Sequence, residues 1–205
     1  GSRMPVKLPQ RITPALAEML GRYHPVWVNT HFNHPKELTP ESEKALALLL
    51  DSGVPVGNQT VLLKGINDDT EILRQLFNGL VANRARPYYL YQAQLIGGTR
   101  HLRTSIERGM EIMETLQGTM TGFAIPSYVL DTPHGKVPLT RSWVLGRCGD
   151  HVVMKTTRGT VWAEPNPRPQ DDPSPPLPEI SMPEGAETIP TGAARFGEER
   201  WVVPA

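Results

Sequence analysis

Apolar residues along the first 118 positions recur at two different spacings, and the alternation between them is the first structural signal in the chain. Helical spacing appears at Leu16, Met19 and Leu20, at Ala45, Leu46, Leu48, Leu49 and Leu50, and at Ile72, Leu73, Leu76, Phe77, Leu80 and Val81. Residues three and four apart share one face of a helix, so each set predicts a helix with one apolar side. Thr13-Pro14 and Thr39-Pro40 stand before the first two sets. Each is a capping hydroxyl followed by a proline whose missing N–H is harmless at the first helical position. Asn67-Asp68-Asp69 opens the third helix, and Gly53 stops the second. Between the helices lie runs rich in β-branched and aromatic residues, Val26 to Phe32, Val54 to Leu63 and Arg86 to Tyr91, which read as strands. After Gly97-Gly98, the series Thr104-Ser105-Ile106-Glu107 has the form of a capping box and predicts a fourth helix ending near Gly118. Strands separated by such helices predict three parallel βαβ units.

The pattern changes after position 118. Short extended runs at Phe123 to Leu130, Ser142 to Gly146, His151 to Thr156 and Thr160 to Ala163, with turn signals at Gly149-Asp150 and Arg158-Gly159, predict an antiparallel meander. From Glu164 onward the chain holds ten of its 21 prolines and few large apolar residues. Such a stretch is expected to be largely disordered, with Trp201-Val202-Val203 as a cluster able to dock. The chain therefore divides into an α/β part over residues 1–118, a β segment over 119–164 and a Pro-rich tail over 165–205.

Composition limits the function classes. A chain of 205 residues, 39% hydrophobic, supports one sizeable core plus an appendage. With 21 basic and 21 acidic residues there is no electrostatic case for a nucleic-acid or anionic-membrane partner. No apolar run approaches the roughly 18 residues of a membrane span, and the start lacks the regions of a signal peptide, so a cytoplasmic protein is expected. Cys148 is the single cysteine, which excludes a disulfide framework or a thiolate cluster built from this sequence alone.

Four features could carry chemistry. His31, Asn33 and His34 follow a predicted strand, where α/β folds place ligands, and Asn58-Gln59 interrupts the next strand as though lining a cavity; a loop with satisfied polar side chains reads equally well. Tyr88, Tyr89 and Tyr91 share a strand in which alternation puts Tyr89 and Tyr91 on one face and Tyr88 on the other. Core packing is the plainer reading for them. Arg100, His101 and Arg103 form either an anion site or a solvated basic loop. Lys136 stands between glycine and proline in a predicted loop, Asp131 to Pro138. A lysine that binds an aldehyde cofactor needs an unprotonated amine in a low-dielectric pocket. By spacing alone Lys136 is an exposed loop lysine.

The longer phrases add more. Pro9 to Thr13 (PQRIT), Tyr23 to Pro35 (YHPVWVNTHFNHP), Gly53 to Asp68 (GVPVGNQTVLLKGIND) and Arg86 to Tyr91 (RPYYLY) resemble the lysine 2,3-aminomutase family in order and spacing. The likeness continues through His101 to Thr104 (HLRT), Thr121 to Pro126 (TGFAIP) and Val129 to Asp131 (VLD), and covers about residues 1 to 165. It implies the C-terminal half of a partial (β/α)6 radical SAM barrel, its last three strands, followed by the segment that carries pyridoxal phosphate. On that resemblance Lys136 is the pyridoxal phosphate lysine and Tyr91 a cofactor neighbour, while Gln59, His31 and Arg11 line the barrel towards S-adenosylmethionine (SAM). Asp131 then helps to hold the distal ammonium of the substrate; its partner aspartate falls at Gln94, which lessens the selectivity for lysine. The family's glycine-rich loop is shortened here to Pro133-His134-Gly135, so His134 is expected to add bulk beside the cofactor.

The activity so implied is a 2,3-amino shift on an amino acid, lysine or a related one, using SAM, a [4Fe–4S] cluster and pyridoxal phosphate. The three-cysteine cluster motif is not in this sequence. The resemblance therefore implies a chain that does not start radicals alone, the N-terminal half of the same polypeptide or another chain supplying the cluster; a non-catalytic remnant binding pyridoxal phosphate and SAM is the alternative. A homo-oligomer is also implied.

Overall fold

The computed structural model describes residues 1–188. Within these residues five α-helices form: α1 Met4–Lys7, α2 Pro14–Gly21, α3 Pro40–Asp51, α4 Thr70–Ala82 and α5 Ile106–Thr119. Local chemistry sets their starts. The Thr13 hydroxyl accepts from the Leu16 N–H at 3.2 Å ahead of α2. Before α3, Thr39 and Ser42 bond each other's backbone N–H at 3.3 and 2.9 Å, a reciprocal cap. One carboxylate oxygen of Asp69 accepts from Glu71 and Ile72 at the start of α4. At α5 the expected box does not form: Ser105, not Thr104, is the cap, accepting from Arg108 at 3.1 Å. Glu107 is unavailable to reach back because the Arg147 guanidinium holds it at 2.7 and 2.9 Å.

Among the described residues nine strands make two sheets. The first runs β1 (Val28–Thr30), β2 (Val56–Leu62), β3 (Arg86–Gln92), β4 (Ser127–Thr132), β5 (Gly135–Pro138), in that spatial order. Strands β1 to β4 are parallel, and β5 returns antiparallel to β4. The meander therefore begins one strand later than its pattern suggested, because α5 serves as the crossover that carries β4 alongside β3. The second sheet holds β6 (Val144–Cys148), β7 (His151–Lys155) and β8 (Val161–Pro165) as an antiparallel meander, with β9 (Glu187–Thr188) parallel to β8.

One face of the first sheet is the core. Leu62, Leu90 and Leu130 from the strands meet Leu46, Leu49, Leu73, Leu76, Phe77, Leu80, Ile112 and Leu116 from α3, α4 and α5, all fully buried. Each such side chain contributes about 1.5–3 kcal/mol. Tyr128 of β4 lies across α5 where a Cβ on Gly109 would overlap its ring, so α5 carries a glycine mid-helix despite the helical penalty.

Residues 165–188, expected to lack packing, instead lie against the second sheet. Asn166, Ser174 and Leu177 are buried, and Arg147 exchanges backbone hydrogen bonds of 2.8 Å with Pro178 and Ile180. Prolines have no N–H to give but keep their carbonyls, and arginine donors use them: the Pro165 carbonyl accepts from Arg103 at 2.5 Å. Residues 189–205 of the tail, with Trp201-Val202-Val203, lie outside the described residues.

Candidate functional site

The other face of the first sheet is less covered, with Gln59, Tyr91 and Asp131 half-buried. A cavity of about 440 Å³ lies at the carboxyl ends of the parallel strands, lined by His31, Gln59, Tyr91, Gln94 and Asp131 together with apolar groups such as Val61 and Leu63. Five of the seven site residues read from the sequence thus converge, Gln59 from the middle of β2 and the others from the ends of β1, β3 and β4, the position at which parallel sheets collect ligand-binding side chains. Arg11 does not join them. It is exposed in the short turn ahead of α2 and does not line this cavity.

Lys136 does not line this cavity but reaches it through Asp131. It lies not in a loop but in β5, where the antiparallel register sets it directly opposite Asp131. The turn between them is tight: Thr132 pairs with Gly135, whose φ of 103° demands glycine, and the Thr132 hydroxyl bridges the His134 N–H and the Gly135 carbonyl. The Lys136 ammonium is 3.3 Å from the Asp131 carboxylate, with the Tyr91 and Tyr89 rings 5.8 and 6.0 Å away. Both charged side chains are about two-fifths exposed, 43% and 42%. Burial pushes the Lys136 pKa down, but the Asp131 carboxylate and the Tyr91 hydroxyl outweigh it and hold it above the ordinary lysine value. Burial raises the Tyr91 phenol, with the Lys136 ammonium opposing. On its far side Lys136 borders a second cavity, about 530 Å³, with Tyr89, Met113, Gln117, Ile125 and Tyr128.

Other expected features have structural roles. Asn58 points into the core side, where its amide bonds both backbone groups of Phe32 and the Thr60 hydroxyl; only Gln59 of that pair faces the cavity. Asn33 accepts from the Val61 N–H, and Asn67 binds Leu63, Asn33 and Val61 backbone groups, tying the ends of β1 and β2. His34 caps the turn at Pro35. A bulge at Tyr88 breaks the alternation, and its ring comes to 3.9 Å of the Tyr89 ring instead of pointing away. Burial, then Arg3, lowers the His31 pKa. His134 turns from the cavity towards the second sheet, where Nε2 is 2.9 Å from Glu187 and the ring meets Trp162 edge-on.

Arg103 is neither an anion site nor a solvated loop residue. Its guanidinium is buried, bonding the Ala93 and Pro165 carbonyls and pairing with Glu164 at 2.8 Å, and so joins the two sheets. Arg147–Glu107, with Asn166 on the same carboxylate, is a second buried join. Nothing local in the sequence marks these partners, which lie 40 and 61 residues apart.

Among the described residues, no group of three or more His, Cys, Asp or Glu is placed to hold a metal ion, and no helix is long and apolar enough to cross a membrane.

A parallel strand-and-helix layer defines an α/β protein, and the polar side chains gathered around one cavity make it a candidate ligand site. Comparison with known proteins makes this specific. A family profile described as Lysine-2,3-aminomutase matches residues 113–189. The L-lysine 2,3-aminomutase of Methanococcus maripaludis is 52% identical over 170 residues, covering 81% of this chain and 39% of that protein. The glutamate 2,3-aminomutase of Clostridioides difficile is 46% identical over 163 residues, covering 78% and 39%. A solved radical SAM methyltransferase from Sphaerobacter thermophilus is similar with a TM-score of 0.45 and 18% identity, over 58% of this chain and 38% of that one. The chain belongs to the lysine 2,3-aminomutase family, with matches consistent with its C-terminal portion. It spans about two-fifths of the length of the curated relatives it matches.

Proposed function

We propose that this chain provides the ligand-facing part of a radical SAM, pyridoxal phosphate-dependent 2,3-aminomutase acting on lysine or a related amino acid. The observation that carries the reading is the convergence of His31, Gln59, Tyr91, Gln94 and Asp131 on one cavity, with Lys136 paired to Asp131. The residues present fit pyridoxal phosphate: a half-exposed amine stands beside two tyrosine rings, with a cavity on either side. When bound there, the cofactor supplies electron withdrawal at the amino nitrogen of the substrate.

The work of the chain is binding and placement. Lys136 Nζ has to release a proton before it can act as a nucleophile, and its exposure gives solvent access to that proton. Tyr91 and Tyr89 offer aromatic faces beside that nitrogen. Asp131 offers one negative charge to a distal ammonium, and Gln94 offers a neutral amide where a second carboxylate would sharpen selectivity for a cation. His31 and Gln59 face the same cavity from β1 and β2 and are assigned to SAM; Arg11, away from the cavity wall, keeps that assignment on the resemblance alone.

The residues here do not fit a [4Fe–4S] cluster. Cys148 is the single thiol and lies at the end of β6 in the second sheet. Cluster thiolates would come from another part of the protein or from another chain, and no radical step is assigned to these residues.

The test is covalent capture. Incubation with pyridoxal phosphate followed by borohydride reduction should place the pyridoxyl group on Lys136, read by peptide mass spectrometry, and Lys136→Met should lose it. Folded protein labelled elsewhere, or not at all, would sink the assignment.

A further inference from the structure

Ala93, Gln94, Ile96, Thr99 and Leu102 form one wall of the 440 Å³ cavity, and all five belong to the loop between β3 and α5. Inside, the loop is a run of turns: Ile96 donates to the Gln94 carbonyl at 3.0 Å, Thr99 to Ile96 at 3.2 Å and Leu102 to Thr99 at 3.0 Å. Gly97-Gly98 stands exposed at its tip, Gly98 with a φ of 82°. Its neck is closed twice, by the Gln92 amide on the Thr104 carbonyl and by Arg103 Nε on the Ala93 carbonyl, each at 2.8 Å and among buried residues. We propose that Arg103 is a positioning residue for the ligand site: it holds this neck while taking its own place from the second sheet, so that Glu164 and Pro165 set where Gln94 stands in the cavity wall.

The inference rests on the cavity being the amino-acid site proposed above. A guanidinium is a rigid plane with donors on separate edges, so fixing two of its nitrogens fixes the third. Arg103 Nη1 donates to the Pro165 carbonyl at 2.5 Å and Nη2 to Glu164 at 2.8 Å, both at the end of β8. Glu164 is itself held, its other oxygen accepting from the Trp162 indole at 2.8 Å. Nε is thereby aimed at the carbonyl of Ala93, the residue before Gln94. Arg103 does not line the cavity, and serves the site by what it holds. The other buried join is a natural comparison. Arg147 is equally sealed and paired, but its side chain bonds to Glu107, Gly149 and Asn166; of the two arginines, Arg103 alone bonds to the cavity wall.

Arg103→Lys separates the two tasks of the guanidinium, because one ammonium set against Glu164 keeps the buried charge pair and gives up the Nε bond to Ala93. Arg147→Lys is the matched control. Arg103→Gln combined with Glu164→Gln, which strands no buried charge, is carried alongside in case the lysine variant does not fold. Two quantities are read on the full chain: amide hydrogen exchange over residues 94–102, and L-lysine binding by calorimetry with and without Gln94→Ala. Both Arg103 variants should exchange the loop amides roughly tenfold faster, the equivalent of one charge-assisted hydrogen bond, while Arg147→Lys leaves them as in wild type. Arg103→Lys should weaken L-lysine binding roughly fivefold, and Gln94→Ala, costly in wild type, should add less than about twofold on top of it. Unchanged loop exchange in the Arg103 variants, an equal rise in Arg147→Lys, or a full Gln94→Ala loss in the Arg103→Lys background would overturn the proposal. Absence of L-lysine binding by wild type would instead remove the amino-acid reading of the cavity, and the loop exchange, which involves no ligand, reports on Arg103 separately.

Discussion

The chain pairs opposite charges in two settings, and the contrast separates what holds the fold from what serves the site. At the join between the sheets, Arg147–Glu107 and Arg103–Glu164 are almost sealed from water, with side-chain exposures of 7% and 0%, and 5% and 0%. On the open face, Asp131–Lys136 is about two-fifths exposed on both sides. Burial makes the first kind obligatory, since either charge left alone would be desolvated and unpaired. Exposure makes the second kind exchangeable, with water able to replace either partner.

The sharpest way to break this contrast is at the join. Arg147→Met leaves Glu107 charged and buried, and should cost about 3–5 kcal/mol in denaturant unfolding. Combining it with Glu107→Leu should recover a large part of that loss, and an Arg147→Met loss below about 1 kcal/mol would show the join to be as slack as the hairpin. Strand β4 carries both regimes, with Tyr128 on its packed side and Asp131 on its open side. Gly109→Ala gains up to about 1 kcal/mol of helix propensity but drives a methyl into the Tyr128 ring. The overlap should win, with a net loss of about 1–3 kcal/mol read from thermal or denaturant midpoints.

Glu187→Ala removes the partner of His134 across a half-exposed contact and should cost only about 0.5 kcal/mol. The smallest stability effect is expected at Asp131→Asn, below about 0.5 kcal/mol. Its signature is a titration. The Lys136 pKa should fall towards the ordinary value, as read by NMR of ¹³C-methylated lysines. Because folding raises that pKa, the stabilisation is complete below the ordinary value of 10.5 and fades as pH rises through the folded-state value. On the alkaline side the difference in stability between wild type and variant should therefore close only as Lys136 loses its proton; a gap that closes near neutrality would contradict the pairing.

Features set by neighbouring residues were legible in the sequence. Thr13-Pro14, Thr39-Pro40 and Asp69 cap helices as their order suggests, because a cap reaches only two or three residues. Features set by distant partners were not. Glu107 has the spacing of a capping box yet is held by Arg147, and the proline-rich stretch after 164 finds donors in Arg103 and Arg147 that its own composition cannot reveal. Tyr88 escapes the period of two through a bulge. The gathering of polar side chains around one cavity was legible for a different reason. His31, Tyr91, Gln94 and Asp131 sit at strand ends, with Gln59 further back on β2, and in a parallel sheet sequence order carries those ends to one edge. The place of Lys136 in a strand was hidden because the two-residue turn before it reads as an open loop.

Strands β1 to β5 lie side by side in the order in which they leave the ribosome, each bonded to the strand made just before it. Neighbour pairing of this kind closes short loops, whereas the Arg103–Glu164 and Ser105–Asp172 contacts span 61 and 67 residues. The first sheet can accordingly grow during synthesis, one unit at a time, and the second sheet locks on last. A nascent chain halted before residue 164 should already protect the amides of β2 and β3 from hydrogen exchange, while α5 gains its full protection only when Glu164 and Asn166 arrive.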